Sequence, residues 1–252
     1  MTDYYSIATI LSESLKLRVP PVAVCFSNTP PEKVPASMEP AAAGCVFWER
    51  GAQKAFVTSA ADHSNCVVGM YTHHMPLTTA AQQENLNDCI KVFGDLGYVR
   101  PEDLVAIPVL KEEAKYVTYA PLAATPVPPA AVLVFANSRQ SLAITEAVQQ
   151  VQPSVPPALG RPACAVIPQV VNTGSPALSL GCCGARAYLN VMTDDFALWA
   201  LPGDRIADYA ARIQVLAKAN QILTQFHQLR RADVEAGKSP SIKESLSRLQ
   251  GG

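Results

Sequence analysis

Two stretches of this chain carry the same succession of features, and this repetition constrains the fold more than any other property of the sequence. Each stretch opens with a proline pair and an apolar strand that ends in phenylalanine, PPVAVCFSN at 20–28 and PPAAVLVFANS at 128–138. The two strands are offset by 109 residues. A proline-rich loop and two cysteines follow each strand, Cys45 and Cys66 in the first stretch and Cys164 and Cys182 in the second. The pattern predicts an internal duplication that gives two similar halves.

The fold expected from the apolar pattern is α/β or α+β, with a mixed sheet and helices packed on it. Continuous apolar runs at 22–26 and 131–135 are typical of strands covered on both faces. The segment 45–48 also reads as a short strand. Apolar residues at helical spacing predict helices at 3–17, 78–96, 138–150 and 204–231. We interpret the helix at 204–231 as the counterpart of the helix at 78–96.

The repeat also divides the chain into regions. Residues 1–120 form the predicted first half, with the opening helix and the Cys45/Cys66 segment. Residues 121–236 form the second half, with the Cys164/Cys182 segment. The remaining residues, 237–252, are polar and contain turn formers, which predicts a loose tail or a frayed helix.

Charge and composition exclude several classes of function. The chain has 252 residues, is 49% hydrophobic, and has a formal net charge of −1 without a block of lysine or arginine. This gives no electrostatic reason to expect binding to nucleic acid or to a membrane surface. The first 21 residues lack an apolar run long enough for a signal peptide or a membrane span, which predicts a cytoplasmic protein. The oligomeric state is left open.

Seven cysteines in a reducing compartment serve packing, catalysis or metal binding rather than a disulfide framework. Four thiolates from two related halves are the number that a 4Fe-4S cluster requires. The predicted ligands are Cys45, Cys66, Cys164 and Cys182, with Cys183 as the possible substitute for Cys182. No CxxC spacing is present, so the usual zinc-ribbon and ferredoxin signatures are both absent. Zinc and haem are the alternative cofactors. The two other cysteines, Cys25 and Cys89, are predicted to be core residues.

A second group of residues suggests a metal-free thiol enzyme. Asp62 and His63 precede Cys66 closely, and a histidine can lower the pKa of a neighbouring thiol and activate it as a nucleophile. The candidate catalytic residues are therefore Cys66 and His63. The other interpretation of these residues is a turn in which Asp62 bonds the backbone and His63 faces water. A further pair, His73 and His74, points in two directions because the residues are adjacent.

Several motifs across the chain resemble one family. They are RVPPVAVCF, GCVFW, NCVVG, YAPLAATPVPPAAVLVFANSRQSLAITEA, PAC and LGCCGARAY. Together, from about residue 8 to 230, the chain resembles the domain of unknown function 169 (ArCR-like) family. The resemblance implies the same four cysteines, and its Gly-Cys-x-Gly-x-Arg pattern matches Gly181, Cys182, Gly184 and Arg186. It implies no settled activity.

The function expected from these patterns is binding of an iron–sulfur cluster, with a redox or electron-transfer role on a small molecule or with a redox partner protein. Gly181, Gly184 and Arg186 are expected to contribute to cofactor binding, the glycines through exposed backbone N–H groups and the arginine through its charge. The alternatives are a thiol enzyme without metal and a protein that binds a small ligand or a haem-type ring between the halves.

Overall fold

The computed structural model describes residues 2–153, 157–160 and 162–250. Its strands are β1 (Val22–Ser27), β2 (Phe56–Ser59), β3 (Tyr116–Pro121), β4 (Ala131–Asn137), β5 (Ala158–Leu159), β6 (Ala177–Ser179) and β7 (Phe196–Pro202). Its α-helices are α1 (Tyr4–Leu15), α2 (Val46–Gly51), α3 (Val67–Thr72), α4 (Ala80–Asp95), α5 (Pro101–Leu104), α6 (Ser138–Val151), α7 (Val166–Thr173), α8 (Cys183–Tyr188), α9 (Ile206–Glu235) and α10 (Ile242–Gln250).

The described strands form one mixed sheet in the order β2-β3-β1-β4-β7-β6-β5. All neighbouring strands are antiparallel except β5 and β6, which are parallel. The two strands that open the repeated stretches, β1 and β4, are neighbours at the centre of this order. The predicted mixed sheet with packed helices is therefore confirmed.

The central pairing of β1 with β4 is short, and its middle pair is Ala23 with Val132. These two residues lie 109 positions apart, which is the offset between the two apolar runs in the sequence. Outside this pair, β1 is flanked by β3, which ends at Pro121, and β4 is flanked by β7, which ends at Pro202. A short 3₁₀ turn follows each of these prolines.

Each face of the sheet carries its own core, because the central strands β1 and β4 are apolar at every position before their last residue. Along β4, Leu133 and Phe135 face one core, while Val132 and Val134 face the other. The first core is completed by α2, α3, α7 and α8, and the second by α1, α6 and α9. Alternation places successive side chains on opposite faces, so a continuously apolar strand is the expected sequence for this arrangement.

Side-chain caps fix the ends of the main helices. The side chain of Thr79 accepts a hydrogen bond from the Gln82 backbone at the start of α4, and Asn137 does the same for Gln140 at the start of α6. The Gln140 amide also donates to the carbonyl oxygen of Leu15 over 2.9 Å, which joins α6 to the end of α1. These bonds satisfy backbone groups that a helix end leaves free.

Two expectations about the elements are wrong. The segment 45–48 begins helix α2 instead of a strand, because a helical turn brings both Phe47 and Trp48 into the core. The helices α4 and α9 are not counterparts, since α9 contacts α1 and α6, whereas α4 contacts α3 on the other side of the sheet. Periodicity predicts which side of a helix is buried but does not predict which face of the sheet it covers.

The C-terminal tail is partly helical. The tail contains helix α10, which contacts α9 through an ion pair of Arg248 with the buried Asp233 at 2.6 Å. Among the described residues, every helix is too short or too polar to cross a membrane.

Candidate functional site

A cavity of about 580 Å³ lies on the side of the sheet covered by α2, α3, α7 and α8. The described part of its lining includes six of the seven cysteines, namely Cys45, Cys66, Cys89, Cys164, Cys182 and Cys183. Helix α4 supplies one further wall with Leu86, Ile90 and Phe93. The four cysteines singled out by the repeat are thus brought to one cavity.

Each of these four cysteines lies where the chain enters a helix. Cys45, Cys66 and Cys182 directly precede α2, α3 and α8, and Cys164 lies in the 3₁₀ turn that leads into α7. Their thiols are close enough to interact electrostatically, because a negative charge on Cys66 or Cys182 raises the pKa of Cys45. Charges on the other three thiols raise the pKa of Cys164 in the same way.

Burial keeps the thiols of Cys45, Cys66 and Cys164 protonated at neutral pH. It raises the pKa of Cys45 to about 12, and it also raises the pKa of Cys66 and of Cys164. A thiol needs a lowered pKa to act as a strong nucleophile near neutral pH. The surroundings of Cys66 therefore favour a neutral thiol over an activated thiolate.

Two glycines allow close approach to the Cys66 sulfur. A Cβ atom on Gly69 would stand 3.1 Å from Cys66 Sγ, and one on Gly44 would stand 2.9 Å from His63 Nδ1. The backbone N–H groups of these two glycines lower the pKa of Cys66 by hydrogen bonding, although burial outweighs them. The glycine of the NCVVG motif thus leaves its backbone free to approach a sulfur, as its sequence context predicts. Gly44 has the same role.

His63 is buried and neutral. Thr58 Oγ1 donates its hydrogen to the Val117 carbonyl oxygen, so it accepts a hydrogen bond from His63 Nε2 at 3.1 Å. This bond places the proton on Nε2 and leaves the lone pair on Nδ1, which has no partner. Burial lowers the pKa of His63 to about 4, so this ring supplies no positive charge to Cys66 at neutral pH. The expectation that it faces water is wrong, because it packs against Phe47.

The rings of His73 and His74 point in different directions, as expected for residues adjacent in the sequence. The His73 ring is buried, lines the cavity, and has no partner for either nitrogen. Burial lowers its pKa to about 3. In contrast, the His74 ring bonds the Leu110 carbonyl oxygen through Nδ1 at 2.9 Å.

Two aromatic donors beside the thiols also lack partners. Trp48 Nε1 and the Tyr119 hydroxyl are buried and have no hydrogen-bond partner within the described part of the chain. Burial raises the pKa of Tyr119, and charges on Cys66, Cys164 and Cys45 raise it further, so the hydroxyl keeps its proton close to three of the thiols. Buried donors in native proteins nearly always have a partner, which makes this group unusual.

The residues expected to bind a cofactor beside Cys182 have separate roles. The Arg186 guanidinium donates to the carbonyl oxygens of Thr193, Leu180 and Phe196, and it holds the loop after α8. Gly181 has a φ of +89°, and a Cβ atom there would be 2.9 Å from Met192 Cε. Gly184 lines the cavity, whereas Arg186 and Gly181 are absent from its described lining.

Asp62 has a structural role. Its Oδ2 atom accepts hydrogen bonds from the Ser59 backbone and hydroxyl, so it stabilises a turn.

The other cysteines differ in their burial. Cys25 is buried in β1, as expected for a core residue. Cys89 is half-buried in the cavity wall, so its assignment to the core is wrong. Cys183 also lines the cavity but is exposed, while Cys182 is partly buried with the other three ligand candidates.

A contact between the segment that carries Cys45 and the segment that carries Cys182 supports the site from outside. The Glu49 carboxylate, on α2, accepts hydrogen bonds from the backbone of Val191 at 3.0 Å and of Asn190 at 3.4 Å. These bonds join the helix that follows Cys45 to the loop that follows α8, and so they stabilise the approach of the two cysteine segments.

The side chains of the described residues form no group of three or more His, Cys, Asp or Glu that could hold a single metal ion. A cluster places different demands on its ligands. In a 4Fe-4S cluster, each thiolate binds a different iron, so the sulfurs surround a volume and do not converge on one point.

Three residues of the site were missed from sequence. Gly44 precedes Cys45, and its role follows from its close packing against His63, which the sequence does not reveal. Tyr119 lies in a strand whose alternation YVTYA indicates an inward side chain, and this signal was available. The cavity position of Cys89 depends on how α4 packs, which the sequence does not specify.

Comparison with known families gives one match. The profile of domain of unknown function 169 (DUF169), described as an uncharacterised ArCR, matches residues 10–212. The chain belongs to this family. No curated protein and no solved structure gives a significant match.

Proposed function

We propose that this DUF169 protein binds a 4Fe-4S cluster through Cys45, Cys66, Cys164 and Cys182 and uses it in a redox step. The observation that carries the proposal is that these four partly buried thiols line one cavity and lie close enough for a negative charge on one to raise the pKa of another. Soft thiolates are the preferred ligands of iron–sulfur clusters, and four of them complete the usual ligand set.

The proposal includes an internal duplication that supplies two ligands from each half. It is supported by the central pair Ala23 and Val132, whose spacing of 109 residues equals the offset of the two apolar runs. It is also supported by the shared succession of cysteine, helix, strand, cysteine and helix. In the first half this succession runs from Cys45 to α3, and in the second half from Cys164 to α8.

The unpartnered donors around the thiols are the second support. A cluster presents sulfide and thiolate sulfurs that accept hydrogen bonds, and such bonds adjust its reduction potential. Tyr119 and Trp48 are buried donors without a protein partner, and Tyr119 lies near three of the thiols. Of the two, Trp48 lines the cavity in which the cluster would lie.

The redox role would involve either a small molecule in the cavity or a redox partner protein. The cavity of about 580 Å³ favours the small molecule, because it falls within the range of roughly 300–1,000 Å³ typical of ligand sites. A cytoplasmic location belongs to the same proposal, since reduced thiols persist in a reducing compartment.

Anaerobic purification tests the proposal directly. The protein should be brown, absorb in the visible range, and contain about four iron and about four sulfide ions per chain. Replacing any one of the four cysteines by serine should bleach or destabilise the cluster, because a hydroxyl is a harder ligand than a thiolate.

Two variants serve as controls in this experiment. Cys25→Ser, in the buried strand, and Cys183→Ser, next to a proposed ligand, should both retain iron and colour. Protein that stays colourless after anaerobic reconstitution with iron and sulfide would refute the cluster. Tight stoichiometric zinc without sulfide, or haem absorption lost in a single cysteine variant, would support those cofactors instead.

A further inference from the structure

The side of the cavity formed by α4, α5 and the loops around α5 consists of large apolar side chains that the described chain leaves partly uncovered. We call this set the apolar wall, and its members are Ile90, Phe93, Tyr98, Val99, Leu104 and Ile107. Ile90 is exposed, and the other five are half-buried. A contiguous apolar patch of this kind marks a binding surface more often than an isolated exposed apolar residue does.

Aromatic rings line this cavity from several elements. Phe93 and Tyr98 lie in the apolar wall with ring centroids 5.6 Å apart. Tyr71 on α3 and Tyr188 on α8 also line the cavity, and they are 39% and 48% exposed. Aromatic rings prefer offset or edge-to-face contact with other rings, at centroid distances of about 4.5–7 Å. A planar aromatic ligand would therefore find ring partners on more than one side.

The described lining contains no positive charge. It includes neither lysine nor arginine, and burial lowers the pKa of His73 to about 3, so that ring is neutral at pH 7. The one carboxylate in the described lining, Asp103, already accepts hydrogen bonds from the Arg100 guanidinium, with Nη2 at 2.7 Å and Nε at 3.2 Å. An anion would lose its hydration here without meeting a cation, and a cation would compete with Arg100.

We propose that this cavity binds an uncharged aromatic molecule against the apolar wall. The inference names the class of small molecule on which the proposed redox step would act. That use rests on the proposed function, whereas binding of the ring requires only the cavity and its lining.

Three derivatives of one naphthalene ring test the charge of the ligand. Naphthamide is uncharged, naphthoate is an anion, and naphthylmethylamine is a cation at neutral pH. Calorimetric titration of the full chain, purified without oxygen, should give the tightest binding for naphthamide, by about tenfold over either ion. Decanamide, a linear amide of similar size, should also bind more weakly than naphthamide because it has no ring. Tightest binding of either ion or of decanamide would overturn the proposal, as would no binding of naphthamide at millimolar concentration.

Two lysine variants on α4 test the location. Ile90→Lys adds a cation to the apolar wall, whereas Val92→Lys adds the same charge at an exposed apolar position outside the described lining. Both positions are exposed and lysine favours helix, so both variants should fold. Ile90→Lys should shift the ratio of the two affinities about tenfold from naphthamide towards naphthoate, because it supplies a counter-charge. Val92→Lys should leave this ratio unchanged.

An unchanged ratio in Ile90→Lys, or the same shift in both lysine variants, would contradict binding at the apolar wall. Iron and sulfide are measured in the same samples, which separates this inference from the cluster proposal. Protein that takes up no cluster on reconstitution but binds naphthamide would refute the cluster alone. Protein that holds the cluster but binds none of the four probes would refute the aromatic ligand alone.

Discussion

Each face of the sheet buries a tryptophan and a tyrosine, but the hydrogen bonds of their polar groups differ between the two faces. On the face covered by α1, α6 and α9, Trp199 Nε1 donates to Ser141 Oγ at 3.0 Å, and the Tyr209 hydroxyl donates to Gln152 Oε1 at 2.8 Å. On the cysteine face, Trp48 Nε1 and the Tyr119 hydroxyl are buried without a hydrogen-bond partner among the described residues. Buried donors nearly always have a partner, so the two faces differ in how completely the described protein groups pair their buried donors.

Truncation of an apolar side chain on each face should give the largest difference in the free energy of unfolding between the two faces. Ile144→Ala, in the closed core, should lower the free energy of unfolding by about 3 kcal/mol, because it creates a cavity among close-packed neighbours. Leu86→Ala, in the wall of the existing cavity, should cost about 1 kcal/mol, since fewer packing contacts are lost there. Urea unfolding measures both. Equal losses would mean that the two faces are packed alike.

Acid should destabilise the cysteine face through its two buried histidines, His63 and His73, of which His73 has the lower pKa. The pKa of His73 is lowered to about 3, below the value of about 6.5 expected in an unfolded chain. The unfolded state therefore binds more protons below pH 6.5, and stability falls as the pH is lowered. Between pH 7 and pH 5 this histidine alone should account for a loss of about 2 kcal/mol.

Urea unfolding measured at several pH values, in wild type and in two histidine variants, tests whether His73 causes this loss of stability. His73→Phe should remove about 2 kcal/mol of the acid dependence, while His227→Phe on the exposed side of α9 should not change it. An identical pH slope in wild type and His73→Phe would show that the His73 ring is hydrated or protonated in the folded protein.

Removing the hydroxyl group from Tyr119 and from Tyr209 should change the free energy of unfolding in opposite directions. In metal-free protein, Tyr119→Phe removes a buried hydroxyl that lacks a partner, which should raise the free energy of unfolding by about 1 kcal/mol. Tyr209→Phe removes a hydroxyl that bonds Gln152 and should lower it by about 1 kcal/mol. Unfolding curves of both variants provide the measurement. If Tyr119→Phe is as destabilising as Tyr209→Phe, the Tyr119 hydroxyl has a protein or water partner.

Sequence reasoning succeeded where the pattern is local and repeated. The central strands were predicted because both 22–26 and 131–135 are continuously apolar. The four cysteines that recur after these strands do line one cavity, while their role as ligands stays a prediction. It failed where tertiary packing decides. The segment 45–48 is too short for its period to distinguish a strand from a helix, and the positions of His73 and Cys89 depend on how α3 and α4 pack.

The central ladder between β1 and β4 has a mechanical consequence. It joins the two cysteine-bearing segments of the sheet through only three residue pairs, whereas β4 and β7 share seven. A slip of two residues is the smallest that keeps the same side chains on each face, and it would shift one segment along the other by about 7 Å. The pairing of Ala23 with Val132 therefore fixes how the segment that carries Cys45 and Cys66 lies relative to the segment that carries Cys164 and Cys182.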